Sequence, residues 1–110
     1  MNDTEAADFC AGLPAAQLSF PFGLDTRVYK VVGRVFAIFG GTSQITLKAD
    51  PEDARAQVET FDDVVPGYHM NKKHWVSVDL PTRGAPLAEM IRDSYDLVVA
   101  KLPRAERPTP

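Results

Sequence analysis

The segment from Val28 to Lys48 constrains the fold most tightly, because strand patterns follow one another there with very short turns between them. Gly33 punctuates the first turn and Gly40-Gly41 the second. Parallel neighbours require a crossover of a dozen or more residues, so these strands must form an antiparallel meander. The predicted strands are Val28–Val32, Arg34–Phe39 and Gln44–Lys48.

Helical patterns flank this meander on both sides. Apolar residues recur at helical spacing between Ala6 and Leu13, after a cap that we assign to Asp3 or Thr4. Asp50 precedes Pro51 and two acids, which predicts the start of a second helix capped by Asp50. A third helix is expected from Pro86 to Leu102, where apolar residues lie at i, i+3 and i+4 intervals.

A further strand is predicted at Trp75–Leu80, and a weaker candidate lies at Ala15–Phe20. Apolar and polar residues alternate in the former, so Val76, Val78 and Leu80 should face the core, and Trp75, Ser77 and Asp79 the other side. Helices on one face of an antiparallel sheet make a two-layer α+β sandwich, which is the fold class that we predict.

The length of 110 residues suits a single domain, which we place at residues 1–102, followed by a proline-rich tail at 103–110 that we expect to be disordered. Cys10, the one cysteine, lies on the apolar stripe of the first helix and is expected to be a core residue. The acidic N-terminal segment is unlike a signal peptide, and no apolar run reaches bilayer length. We therefore expect a cytoplasmic monomer without a membrane partner.

Polar and aromatic side chains gather just before the strand at Trp75–Leu80. Pro66-Gly67 is a turn signal, and a dense acid-free cluster follows it. The cluster comprises His69, Asn71, Lys72, Lys73, His74 and Trp75.

The stretch YHMNKKHWVSV resembles the signature of the MmcQ/YjbR family of small bacterial proteins. Further matching landmarks cover nearly the whole chain: Phe20–Gly23, Lys30–Phe36, Thr46–Lys48, Asp50–Glu52 and Ser94–Val98. The resemblance implies a CyaY-like (frataxin-like) fold. It also implies binding of DNA by a double-wing shape.

The net charge of −3 conceals a separation of charge along the chain. Basic residues without acids occupy the strands and the second loop, whereas the acids concentrate in the helices and their caps. This pattern predicts a basic sheet face with basic hairpin tips, which would bind a polyanion despite the overall sign. The alternative is that the cations provide solubility and protect strand edges, and that the acids are ordinary helix caps.

Trp75 has two interpretations. Beside Lys48, Lys72 and Lys73, an exposed indole would stack on a base or sugar. Because large indoles are usually mostly buried, we expect instead that Trp75 packs under the PGYHM loop or against the Phe20-Pro21-Phe22 segment.

Neither metal binding nor catalysis is predicted. His69 and His74 are five residues apart, which fits no helical ligand spacing, and no third ligand of the usual type is evident. Tyr68 and Tyr95 lack a candidate partner for acid–base chemistry; Tyr95 should lie in the core with its hydroxyl bonded to an acceptor. We expect a non-enzymatic protein without a cofactor or a metal.

These observations lead to a DNA-binding hypothesis. Lys30, Arg34, Lys48, Lys72 and Lys73 would neutralise phosphates, and Asn71 or Arg34 would reach base edges, while His74 and Trp75 complete the candidate interface. The alternative is a protein-interaction or adaptor module that uses the same open sheet face. Binding of a small ligand in a pocket between the loop and the sheet is a third hypothesis.

Overall fold

The computed structural model describes residues 1–40, 43–67 and 70–109. Its elements in chain order are α1 (Asp3–Ala11), β1 (Ala16–Ser19), β2 (Arg27–Val31), β3 (Arg34–Gly40), β4 (Gln44–Lys48), α2 (Pro51–Thr60), β5 (Val64–Pro66), β6 (Trp75–Asp79), α3 (Leu87–Ala100) and a 3₁₀ turn (Arg104–Glu106). The six strands form one sheet in the order β1-β2-β3-β4-β6-β5. All neighbouring pairs are antiparallel, which confirms the predicted meander.

The turn between β2 and β3 is as tight as Gly33 predicts. Val31 pairs with Arg34, so Val32 and Gly33 alone make the turn. Both have positive φ, 49° and 76°, which is the backbone form that matches the twist of a two-residue hairpin. The second predicted turn involves Gly41, which lies outside the described residues.

The three helices of the described chain cover one face of the sheet, which confirms the α+β fold. α3 packs on β2, β3 and β4, α2 packs on β5 and β6, and α1 packs on β1 and α3. The core between the layers contains Phe36, Phe39, Ile45, Leu47 and Ile91, each with no exposed surface. Within the described ranges, no helix is long and apolar enough to cross a membrane.

A bulge in β3 links the sheet to α3. Tyr29 pairs with Ala37 and Lys30 pairs with Val35, so Phe36 is an extra residue that has no partner in β2. The β3–β4 pairing also ends at Ala37, one step before Phe36 would face Lys48. There the hydroxyl of Ser94 on α3 donates to the Phe36 carbonyl at 2.6 Å and accepts from the Lys48 N–H at 2.9 Å. Ser94 is fully buried, so this hydroxyl bridges both strands and the helix in the core.

The helix caps agree with the prediction at α2 and differ at α1. The Asp50 carboxylate accepts from the Glu52 N–H at 3.0 Å, as predicted. The cap of α1 is Asn2, not Asp3 or Thr4, because Asn2 and Glu5 form a reciprocal capping box. Asp3 lies inside the first turn, where it binds Arg27 at 2.6 Å.

Two short elements were not predicted. β5 is a three-residue edge strand that ends at Pro66, and proline is tolerated there because an edge has unpaired N–H positions. The tail expected to be disordered contains the 3₁₀ turn. The Arg107 guanidinium donates to the carbonyls of Ala100 and Leu102, both at 3.0 Å, which satisfies groups that a helix end leaves unbonded.

The predicted orientation of β6 is confirmed, because Val76, Val78 and Leu80 are at most 8% exposed and face the helices. Ser77, on the opposite face, is also buried, and its hydroxyl lies 2.8 Å from that of Thr46 on β4.

The two faces of the sheet should differ sharply in their response to truncation. We expect Val78→Ala to lower the free energy of unfolding by about 2 kcal/mol, through lost burial and a residual cavity. Val65→Ala is the matched control, because Val65 pairs with Ser77 on the opposite face and is half-buried. Urea denaturation measures both, and equal losses would contradict the assigned orientation.

Candidate functional site

The hairpin end of the sheet holds a groove whose lining is basic and aromatic. Lys48 and Trp75 pair across β4 and β6, the β2–β3 hairpin supplies Arg34, and Lys101 follows the end of α3. Together with Gly33, Val35 and Val98 they line a volume of about 300 Å³, which we call the hairpin-end groove. No carboxylate is found among the described residues that line it.

The cations of the hairpin-end groove are close enough to perturb one another. Burial lowers the pKa of Lys48, and the hydrogen-bonding side chain and charge of Lys101, then the charge of Arg34, lower it further. Like charges are held together only at a cost, which a bound anion would remove. The groove is therefore suited to a phosphate-sized anionic group.

Trp75 is half-buried in this groove, and Gly67 lies beside its backbone and Cβ. The Gly67 N–H donates to the Trp75 carbonyl at 2.9 Å, and a Cβ placed on Gly67 would lie 2.8 Å from the Trp75 Cβ. Tyr68 and His69 of that loop lie outside the described residues. The Phe20-Pro21-Phe22 alternative is wrong, because that segment follows β1, at the opposite edge of the sheet from the β6–β5 pair.

Lys72 and Lys73 lie at a different groove. They border a volume of about 480 Å³ against α2, whose floor is formed by Pro51, Ala54, Val58 and Pro66 and whose rim includes Arg55 and Glu59. Neither lysine lines the hairpin-end groove. The candidate phosphate-binding residues therefore form two separate groups.

Asn71 and His74 shape the loop before β6. The Asn71 side chain accepts from the Lys73 N–H and its carbonyl accepts from the His74 N–H, both at 3.0 Å. The His74 carbonyl accepts from the Ala49 N–H at 2.8 Å, while its imidazole is exposed. The role of either side chain in base contacts stays a prediction.

The open sheet face is less basic than the strand composition suggests. Arg27 lies on the helical side, where it binds Asp3 and stacks 4.6 Å from the centre of the Phe39 ring. The strands place pairs without a cation on the open face, namely Thr46 with Ser77 and Gln44 with the carboxylate of Asp79. Of the predicted cations, Lys30 and Lys48 lie on this face, both near its hairpin end.

An acidic groove between α2 and α3 adjoins the hairpin-end groove, and Lys48 lines both. Its volume is about 320 Å³, and its carboxylates are Asp50, Asp53, Asp93 and Asp96. Burial raises the pKa of Asp93, and the charges of Glu89, Asp96 and Asp53 raise it further. A phosphate would be repelled from this side and would approach from the hairpin.

The other candidate groups are structural. Burial raises the pKa of Cys10 to about 12, which leaves it an unreactive core thiol, as predicted. The Tyr95 hydroxyl donates to the Pro14 carbonyl at 2.5 Å, so the expected acceptor is present. In the described part of the chain, no group of three or more metal-ligating side chains is found.

Lys101 is the groove residue that sequence reasoning missed. It lies three residues after Val98, which belongs to the apolar stripe of α3, so helical spacing places it at the edge of the sheet-facing side. This spacing from Val98 could have identified Lys101 from the sequence as a residue near the sheet.

Comparisons with known proteins give a consistent result. The family model described as YjbR matches residues 11–97. The protein YbdF of Escherichia coli O157:H7 is 37% identical over 100 residues, which is 86% of this chain and 82% of that protein. The protein YjbR of Escherichia coli K12 is 28% identical over 112 residues, covering 97% of this chain and 95% of that protein. Both relatives are named as uncharacterised proteins.

Solved structures share the fold. A Deinococcus radiodurans crystal structure with the domain DUF419 has a TM-score of 0.84 and 35% identity, covering 97% of this chain and 86% of its own. A Pseudomonas syringae crystal structure has a TM-score of 0.75 over 88% of this chain and 98% of its own. At 24% identity, the latter supports the fold alone.

Proposed function

The chain belongs to the YjbR family, as its signature predicted, and we propose that it is a non-enzymatic protein that binds DNA through the hairpin-end groove. The observation that carries the proposal is the convergence of Arg34, Lys48 and Lys101 on the Trp75 indole. These residues come from four separate elements or their ends, and they meet without a carboxylate among the described lining residues.

Each part of the groove has a role in this proposal. Arg34 and Lys101 bind backbone phosphates, and a bound anion offsets the repulsion from Lys101 and Arg34 that lowers the pKa of Lys48. Trp75 offers an aromatic edge to an unpaired base, a contact worth about 1–3 kcal/mol where stacking is complete. Lys30 extends the basic end along the open face, since it pairs with Val35 beside the hairpin.

Lys72 and Lys73 provide a second, separate phosphate contact in this proposal. They lie against α2 and not in the groove, so a strand of DNA would have to pass from the hairpin to the loop before β6. We expect Lys72→Ala/Lys73→Ala to weaken binding to all sequences about equally, with the salt slope reduced by about 0.9 per lost contact on duplex DNA. Glu52→Gln, on the exposed helical side, is the control and should change affinity only slightly.

The single tryptophan makes the proposal directly measurable. Because Trp75 is the one tryptophan in the chain and lies in the groove, its fluorescence reports on that groove alone. We expect single-stranded and duplex oligonucleotides to change this fluorescence saturably, with affinity falling as salt rises. Binding that is salt-sensitive but leaves Trp75 fluorescence unchanged would place DNA elsewhere, and the absence of binding at low ionic strength would overturn the proposal.

A protein-interaction role is the second candidate, and one observation favours it. Large apolar side chains are exposed along β1 and the loop that follows: Leu18 by 46%, Phe20 by 42%, Phe22 by 73% and Leu24 by 85%. An extended apolar peptide would add to this edge strand by main-chain pairing. Peptides selected for binding to the wild type should not bind the Phe22→Asp/Leu24→Asp variant. Peptides that bind both proteins equally would contradict this role.

A further inference from the structure

Lys48 has the surroundings of a reactive amine. Its side chain lines an open groove of about 300 Å³ with Arg34 and Lys101, and its backbone N–H is fixed by the buried Ser94 hydroxyl. The backbone from which the Lys48 side chain extends is thus fixed by the core, whereas Arg34 lies on an exposed hairpin.

We propose that Lys48 is a site of covalent acylation, and that the acyl donors it accepts are small anionic acyl phosphates. A donor of this class carries its own phosphate, which is the group that Arg34 and Lys101 are placed to hold. With the phosphate held by these two cations, the carbonyl carbon lies within reach of the amine that lines the same groove. Proximity of this kind replaces an encounter in solution by a step within a complex.

The charged groups around Lys48 favour its neutral, nucleophilic form. Burial, Lys101 and Arg34 all lower its pKa. The carboxylates of the acidic groove, which Lys48 also lines, are the opposing groups; they are Asp50, Asp53, Asp93 and Asp96. The balance of these groups still lowers the pKa, so more neutral amine is present near neutral pH than at an ordinary lysine.

The step balances without a further reactant. The lone pair of the neutral Lys48 Nζ attacks the carbonyl carbon of acetyl phosphate, and the bond from that carbon to the phosphate oxygen breaks. The leaving phosphate takes the bonding electron pair and one proton from the nitrogen, so the products are an N-acetyl amide and hydrogen phosphate. Nothing is oxidised or reduced.

Acylation would remove one of the groove's cations. A neutral amide replaces an amine that can carry a positive charge beside a bound phosphate, so DNA affinity should fall; this consequence, unlike the acylation itself, rests on the proposed function. The chemistry and its consequence are therefore tested by separate measurements.

The test measures acetylation at each of the chain's lysines in the intact protein. These are Lys30, Lys48, Lys72, Lys73 and Lys101. After timed incubation with acetyl phosphate at neutral pH, peptide mass spectrometry should show a rate at Lys48 several-fold above those at Lys72 and Lys73. A rate at Lys48 no higher than at those two would overturn the proposal.

A variant and a second donor separate the effect of the lowered pKa of Lys48 from the effect of holding the donor's phosphate. Arg34→Gln changes an exposed hairpin residue and should slow acetylation of Lys48 by acetyl phosphate several-fold more than its reaction with uncharged p-nitrophenyl acetate, because losing the Arg34 charge raises the Lys48 pKa for both donors but removes a phosphate contact for acetyl phosphate alone. Equal rates for wild type and Arg34→Gln with acetyl phosphate would overturn the role of the cations in holding the donor. The Trp75 titration, repeated on protein acetylated at Lys48, then tests the effect on DNA independently of the acylation result.

Discussion

The Ser94→Ala variant is expected to lose about 2–4 kcal/mol of the free energy of unfolding, because two buried backbone groups lose their partner at once. The Ser94 hydroxyl donates to the Phe36 carbonyl and accepts from the Lys48 N–H at the point where the β3–β4 pairing stops. The substitution replaces a hydroxyl group by hydrogen and removes little volume, so the loss reflects mainly the two unpaired backbone groups. Urea denaturation should show this loss as a lower midpoint, with an unchanged dependence of the free energy of unfolding on urea concentration.

Ser77→Ala is the matched control for this prediction. It makes the same chemical change at a second buried serine, but the Ser77 hydroxyl bonds to another hydroxyl, that of Thr46. Thr46 is half-buried and can turn to water, so the loss should be about 0.5–1.5 kcal/mol. If the two variants lose similar free energies of unfolding, β3 and β4 must pair directly once the Ser94 hydroxyl is removed, with the Lys48 N–H bonding to the Phe36 carbonyl.

The Arg34→Glu/Lys101→Glu variant is expected to bind DNA about 50-fold more weakly than the wild type at about 0.1 M salt. Two phosphate contacts from the hairpin-end groove are lost, and each counterion release contributes about eightfold at that salt concentration. The repulsion from two added carboxylates should enlarge the loss. Trp75 fluorescence titrations at several salt concentrations should also show a slope smaller by about 1.8 on duplex DNA.

Arg83→Glu/Arg92→Glu is the matched control for charge. It changes the net charge by the same amount, both residues are exposed, and neither lines the hairpin-end groove. We expect this variant to weaken binding far less than the groove variant does. If the two variants weaken binding equally, the DNA responds to net charge and not to the groove.

The fold was predictable where local rules decide it. Short turns forced β2, β3 and β4 to be antiparallel, and alternation fixed which side of β6 faces the helices. Asn2 was missed as a cap because Asp3 and Thr4 are equally good cap residues, and only the reciprocal bond to Glu5 selects Asn2. The edge strand β5 has three residues, too few for any periodicity to emerge.

The candidate site was only partly predictable, because its residues are assembled by long-range packing. Neighbours in sequence suggested that Lys72 and Lys73 would lie beside Trp75, yet the loop turns them toward α2. Lys101 reaches Lys48 because α3 packs on β3 and β4, where the Ser94 bridge joins the helix to both strands. Charge counting along the strands likewise could not show that Arg27 turns to the helical side and binds Asp3.

The two edges of the sheet differ, and this limits how the protein can self-associate. At one edge β5 is three residues long and ends in Pro66, which has no N–H to donate. At the other edge β1 leaves its outer side unpaired within the described chain and carries the exposed Leu18. Two copies that paired through β1 would each occupy the one receptive edge of the sheet that the described residues form. Pairing of this kind closes at a twofold dimer and cannot propagate into a fibre.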